Sequence, residues 1–284
     1  MKKLLKITAV ILLCCTLCIM SACISSQDGG EESLGVVVSI PPYGEWAEKI
    51  GGEHVDVTVL IPEGSSPHTY EPTPNQMVDV SKAELWIKNG AGLEFWADKI
   101  VQTNKSIMTI DISEMAALIE IDGSYDPHVW LSTETARNAT YEIYRALSTI
   151  DPENESYYQA NYAAYINDID AINTQIMAIL DEKESRTFLV MHPAFSYFAR
   201  DYGLTQIALE ESGKEPGPER ITTIIEDAKE LGITTIFVEP QFSAQEAEIV
   251  AKEIGGSVVA INPLAHDYLD NLITIAESLE EGLV

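Results

Sequence analysis

The chain has 284 residues, 46% of them hydrophobic, and its 17 basic and 45 acidic side chains leave a formal net charge of −28 at pH 7. Such a composition is that of a globular protein, and so acidic a balance excludes a nucleic-acid partner, because contact with phosphate needs clustered lysine and arginine. All four cysteines, Cys14, Cys15, Cys18 and Cys23, fall within the first 23 residues, which leaves the rest of the chain with neither a disulfide nor a thiolate metal ligand.

Lys2, Lys3 and Lys6 precede an apolar stretch over residues 7–20, which ends in Met20-Ser21-Ala22-Cys23. This is the pattern of an export signal over residues 1–22, and its end looks like a lipobox, in which Cys23 is lipidated and ties the protein to the outer face of the cell membrane. An uncleaved membrane helix is the alternative, since the apolar run is close to the ~18 residues a span requires. Both readings put the remainder of the chain outside the cytoplasm. Removing residues 1–22 takes away three lysines and no acid, leaving 14 basic against 45 acidic side chains, a net charge of −31. Residues 23–34 are polar, acidic and glycine-containing, a tether with little that could pack into a core.

Strands and helices alternate from there on. Residues 35–40 (Gly-Val-Val-Val-Ser-Ile) predict a strand stopped by Pro41-Pro42, and the amphipathic stretch through Trp46 to Ile50 predicts a helix ended by Gly51-Gly52. Residues 55–61 form the next predicted strand and deliver His68 after a Gly-Ser-Ser turn. Thr73 then caps a helix that has Pro74 at its first position. Residues 85–88 and 107–110 are shorter strand candidates, and residues 118–121 read as a strand leading to His128, with Ser132 capping the helix beyond. Residues 35–150 are thus expected to form an N-terminal α/β lobe.

Over residues 151–184 the pattern changes. Tyr158, Tyr162, Tyr165, Ile169, Ile172, Ile176 and Ile179 recur at helical spacing with no glycine or proline between them. A helix of this length is about 45 Å long, which predicts a connecting strut between two lobes; one long surface helix on a single domain is the alternative. In residues 185–284 alternation resumes: a strand at 187–191 ending at His192, a helix at 218–231 closed by Gly232, a strand at 233–238, a capping box at Ser243-Ala-Gln-Glu246 opening a helix stopped by Gly255-Gly256, a strand at 258–261 ending at Asn262, and a helix at 268–279. The fold class expected is α/β, with two parallel-sheet lobes joined by one long helix and a ligand cleft beyond the carboxyl ends of the strands.

Three of the five histidines share one setting. His68 in Ser-Pro-His, His128 in Asp-Pro-His and His192 in His-Pro each sit in a proline-flanked loop after a strand-like run. Three neutral imidazoles can hold one transition metal, and without thiolates the site must use nitrogen and oxygen donors. His54, in Gly-Gly-Glu-His, reads as a surface residue, as does His266. Trp130, Tyr70, Phe195 and Tyr197 flank the three as wall packing, while Glu71 and Glu239 either receive imidazole N–H bonds or are solvated. Three histidines with an open fourth position can also activate water, as in a metallohydrolase; the lack of a His-Glu-x-x-His helix and of a nucleophile elbow argues against an enzyme. Sequons at Asn104, Asn138 and Asn154 permit glycosylation.

The motifs Ile50-Gly-Gly, Pro67-His-Thr-Tyr-Glu-Pro-Thr-Pro, Asn89-Gly-Ala-Gly-Leu-Glu, Asp126-Pro-His-Val-Trp-Leu-Ser and His192-Pro-Ala-Phe-Ser-Tyr-Phe together resemble the zinc and manganese solute-binding lipoproteins of ABC importers (ZnuA/TroA-like). The resemblance covers essentially the whole chain after the tether. It implies a monomer of two α/β lobes, a divalent metal in the cleft, and delivery to a cognate ABC permease and its ATPase. It also implies His68 and His128 as ligands from the first lobe and His192 from the second. At the fourth position the family commonly has Asp-Pro-Leu, whereas this chain has Asn262 in Ile-Asn-Pro-Leu; Asp267, His266 or water are the alternatives. Three imidazoles and one oxygen suit Zn²⁺, but residues 115–125 lack the histidine-rich loop often linked to zinc, so Mn²⁺ and Fe²⁺ stay open. A metal-bearing surface adhesin is compatible with the same fold. Imidazole ligation predicts that binding weakens below about pH 6.5.

Overall fold

The structure, a computed structural model, describes residues 33–181, 183–211, 214 and 216–283. The predicted export signal, Cys23 and residues 24–32 of the tether lie outside them. No described helix is long and apolar enough to cross a membrane.

The first half opens with Leu34–Val38 (β1), whose valines are buried on both faces, as a strand covered by helices on each side requires. Pro41–Gly51 (α1) starts on both prolines, because the first turn of a helix has no use for their missing N–H groups, and it ends at Gly52 with φ 55°. A side chain at Gly52 would collide with the Tyr157 hydroxyl. Val55–Val59 (β2) is followed by Pro74–Val80 (α2), where Thr73 and Gln76 form a complete capping box. Leu85–Lys88 (β3), Ala97–Thr103 (α3) and Met108–Asp111 (β4) complete a parallel sheet of order β2-β1-β3-β4.

Residues 118–121 depart from the expectation of a further parallel strand. Glu120–Ile121 (β5) and Ser124–Tyr125 (β6) pair antiparallel as an exposed hairpin outside the main sheet. Its turn is Asp122-Gly123, with φ of 53° and 82°, and an Asp-Gly pair with positive φ is the signature of a tight hairpin turn. His128 therefore follows this hairpin and not a strand of the main parallel sheet. Thr133–Ile150 (α4) comes next, with Ser132 accepting from the Thr135 N–H as expected.

Glu155–Asp181 (α5) is the predicted long helix, 27 residues and so about 40 Å in length. It packs on α1, on α4 and on the last helix, Tyr268–Gly282 (α9). Tyr158, Tyr165, Ile169, Ile176 and Leu180 are buried along it. At about 2 kcal/mol each, burial of these side chains contributes on the order of 10 kcal/mol, as much as the whole stability of an ordinary domain. Detaching α5 from its neighbours is thus not a low-energy motion.

The second half contains Thr187–Val190 (β7), Ser196–Tyr202 (α6), Thr205–Ala208 (β8), Pro218–Leu231 (α7), Thr235–Val238 (β9), Gln245–Ile254 (α8) and Ser257–Ala260 (β10), in a parallel sheet of order β10-β9-β7-β8. The sequence pattern had not marked β8, because Thr205 and Gln206 interrupt its apolar run. The capping box expected at Ser243 does not form. Ala244 occupies the N-cap, and Ser243 Oγ accepts from the Gln245 N–H, two residues on, at 3.2 Å. One buried cluster runs from β1 and Trp46 through α4 and α5 to Phe188 and Leu272, while a smaller one lies between the second sheet and helices α7 and α8. The α9 helix joins the halves directly: Tyr268 meets Trp46 edge-on at 5.1 Å and donates to the Trp130 carbonyl at 2.8 Å.

Candidate metal centre

His68 lies in the loop after β2, where the Thr69 and Tyr70 N–H groups both donate to the Ser66 carbonyl and tighten the turn. His128 is the N-cap of a 3-10 turn over Val129–Leu131. Just before it, Asp126 Oδ1 accepts from the His128 backbone N–H at 2.9 Å and from its Nδ1 at 2.6 Å. His192 follows the end of β7, and its Nδ1 faces Glu210 Oε2 at 2.7 Å. Glu210 follows the adjacent strand β8, to which β7 is still joined there by the bond from Glu210 N to Met191 O at 2.9 Å.

Those two carboxylates assign the tautomers. A proton held on Nδ1 by an acid leaves the Nε2 lone pair free to point inward. The inward nitrogens converge: His128 Nε2 lies 3.3 Å from that of His68 and 3.2 Å from that of His192. The three ligand atoms all lie within 4.8 Å of one another. Zn–N bonds of about 2.0–2.1 Å in a tetrahedron place nitrogens about 3.3 Å apart, so the spacing suits one ion between them.

Electrostatics keep the His192 and His68 rings ready to ligate. Desolvation lowers the pKa of His192 despite the opposing bond to Glu210. His68, exposed on its outer side, is also lowered, by desolvation of its inward face and then by the two neighbouring imidazoles. Burial works to raise the pKa of Asp126, but its bond to His128 outweighs this and holds it down as a carboxylate. The walls are aromatic. Phe242 stacks on His192 at 4.4 Å, Trp130 stands 5.3 Å from His128 and donates its Nε1–H to Pro263 O, and the Tyr197 hydroxyl donates to Asp126 O at 2.7 Å.

Two hollows meet at the imidazoles. The inner one, floored by Glu239, Gln241 and Leu264, has room for about one water-sized body. The outer one, of about 560 Å³, opens between Ser66, Leu93, Ile121, Tyr125 and Phe242. All three imidazoles line this outer hollow, with His68 the exposed one of the three.

With this geometry goes a match over residues 36–282 to the family described as zinc-uptake complex component A, periplasmic. The chain belongs to that family. Among members of the zinc-uptake component family and their relatives, it is 32% identical over 240 residues to the manganese-binding lipoprotein MntA of Halalkalibacterium halodurans, covering 81% of this chain and 78% of that one. It is 29% identical over 278 residues to the zinc-binding lipoprotein AdcA of Streptococcus pneumoniae serotype 4, covering 91% of this chain but only 55% of that longer one. A crystal structure of ZnuA superposes with a TM-score of 0.86 at 38% identity, over 88% of this chain and 99% of that one.

The other residues singled out in the sequence make contacts of their own, Asn262 beside Gln241, Pro263 and Leu264 of the inner hollow. Asn262 Oδ1 accepts from the Leu264 N–H at 3.0 Å and lies 3.5 Å from Gln241 Nε2. His266 stands 3.4 Å from Glu48, and Asp267 is largely exposed. Tyr70 donates to Gln76, Phe195 is packed in the core, and Glu71 pairs with Lys99 at 2.9 Å on the surface. His54 meets Tyr157 edge-on at 4.8 Å. Asn104 is buried and donates to Val80 O and Ala83 O, so its sequon has no room for a glycan. Sequence reasoning passed over Asp126 and Glu210. Asp126 had a signal in the Asp-Pro-His turn, whereas Glu210 had none without β8.

Proposed function

We propose that the protein captures a divalent transition metal outside the cytoplasm and hands it to a cognate ABC permease and its ATPase, from a lipid anchor on Cys23. His68, His128 and His192 are the ligands, with residues 35–150 and 185–284 as the lobes on either side of the connecting segment 151–184. The observation that carries this reading is the convergence of three imidazole nitrogens within 4.8 Å of one another, His128 Nε2 lying 3.3 and 3.2 Å from the other two, with two of the rings backed by carboxylates on Nδ1.

Zinc is the favoured cargo, ahead of manganese and iron. Three imidazoles match its ligand preference, and zinc binds such nitrogen sites more tightly than either rival in the divalent series. Capture needs no chemistry beyond replacing the ion's water with nitrogen. The Asp126 and Glu210 carboxylates offset the charge of the ion without touching it, and the aromatic walls keep water from competing. Release starts at His68, the ligand on the exposed loop.

The test is elemental analysis of the soluble domain purified from a medium with balanced trace metals, followed by zinc against manganese competition. About one ion per chain is expected, with zinc displacing manganese. Sub-stoichiometric metal under all conditions overturns the reading; retention of manganese against equimolar zinc changes the cargo.

A further inference from the structure

The centre contains one buried acid that the three-imidazole arrangement leaves without a partner. Glu239 directly follows β9, and continuing the register in which Val190 lies beside Phe237 sets it next to His192. It is 0% exposed, and among the described residues neither carboxylate oxygen makes a well-formed hydrogen bond; only the backbone N–H groups of Glu239 and His192 lie near enough to favour its charged form. It lines the inner hollow together with all three histidines. Unpaired buried carboxylates are rare in folded proteins, and one facing a cluster of ligands marks a binding role.

We infer that Glu239 is the fourth partner of the captured metal, supplying an anionic oxygen from the floor of the site in place of the residue at the end of β10. This rests on the metal-carrier reading above. Three imidazoles fill only three positions of a tetrahedral ion. The side-chain oxygen of Asn262 is committed to the Leu264 N–H, Asp267 is exposed at the start of α9, and His266 faces Glu48. Glu239 is not among the groups that lie within 4.8 Å of one another, so it reaches the ion by rotating its side chain inward. That motion gives up only loose contacts with the backbone N–H groups of Glu239 itself and of His192, since neither oxygen makes a well-formed hydrogen bond among the described residues. A site closed in this way holds its ion between two strand-end residues of one sheet, His192 and Glu239, and two loop residues of the other half.

The experiment compares Glu239→Gln, Glu239→Asp, Asn262→Ala and His192→Ala with the wild type. It reads zinc affinity by chelator competition, the visible spectrum of the cobalt-loaded protein, and the unfolding temperature of the metal-free form. Glu239→Gln is expected to weaken zinc at least about tenfold and to change the cobalt bands, while the metal-free protein unfolds at the same temperature or higher, because a neutral amide replaces an unpartnered acid. Glu239→Asp, which keeps the charge on a shorter stem, falls between it and the wild type, and Asn262→Ala stays within about twofold. Zinc binding by Glu239→Gln within about twofold of wild type with unchanged cobalt bands overturns the assignment, as does a tenfold loss in Asn262→Ala alone. If His192→Ala loses zinc while Glu239→Gln does not, the carrier reading stands and Glu239 falls; if the wild type itself holds no zinc, both fall.

Discussion

His192 and Glu210 reach the metal centre just beyond the ends of two adjacent parallel strands, whereas His68 and His128 arrive on loops, one well past β2 and the other past an exposed hairpin. In the second half, the distance between imidazole and acid is set by backbone bonds between β7 and β8, such as Leu209 N to Val190 O at 2.9 Å. In the first half, Asp126 orients a histidine two residues away through the local chain alone. His68 has no carboxylate bonded to it among the described residues; its ring meets only the other two imidazoles there, His128 at 5.3 Å and His192 at 5.1 Å between centroids. The contrast teaches that a sheet register supplies a rigid jaw, while loops supply a jaw that can yield without disturbing a core shared by both halves.

The largest expected effect separates the two jaws at their ligands. His192→Ala should weaken zinc by more than the ~10–100-fold typical of losing an outer partner, and His68→Ala should cost less, because water can take a position at the exposed mouth. Equal losses in calorimetric titration would break the comparison. Next come the backing acids. Glu210→Gln and Asp126→Asn should each weaken zinc ~10–100-fold, but only Asp126→Asn should also lower the unfolding temperature of the metal-free protein, since Asp126 holds the His128 backbone as well as its ring. A matching drop in both variants would mean that Glu210 is structural too.

The pH response is smaller and its sign comes from the lowered pKa values of His68 and His192. Unfolded imidazoles protonate near pH 6.5, while the folded ones resist to lower pH. Between those values the unfolded chain binds more protons, so the metal-free protein loses stability as pH falls below about 6.5. Zinc binding, in contrast, should hold at pH 6.5 and for some way below it, weakening only as the pH approaches the lowered pKa values of His68 and His192, which moves the window expected for free imidazole downward. Titrations at pH 7.5, 6.5 and 5.5 check this, and a loss already present at 6.5 would show that the site does not depress its ligands. Smallest of all is Gly123→Ala in the hairpin. With φ at 82° and open space around it, the change should cost about 1 kcal/mol of stability and leave zinc affinity within about twofold. A larger loss of affinity would make the hairpin part of the first-half jaw.

Much of this architecture was legible in the chain because its signals are local. Thr73 with Pro74, Ser132, and Gly232 after Leu231 marked helix ends that the structure reproduces, and the Tyr/Ile stripe marked α5. Where the reading slipped, a local signal was ambiguous or outweighed. Residues 118–121 are apolar enough for a sheet strand, but the Asp122-Gly123 turn folds them back on their neighbours first. Ser243 could have capped one residue later, but its hydroxyl closed a shorter turn instead.

What the sequence alone determined is the inventory: acidic surface, no thiolate after Cys23, three proline-flanked imidazoles and the helix ends that punctuate an α/β chain. Those properties depend on residue type and on spacings of a few positions. Which acid backs which imidazole, and which carboxylate is left unpaired, only the tertiary structure decided. Glu210 and Glu239 are 18 and 47 positions from His192 in the chain, and they come to its side because parallel strands β8 and β9 flank β7 in the sheet. That neighbourhood is created by backbone pairing between distant segments, and no short window of sequence contains it.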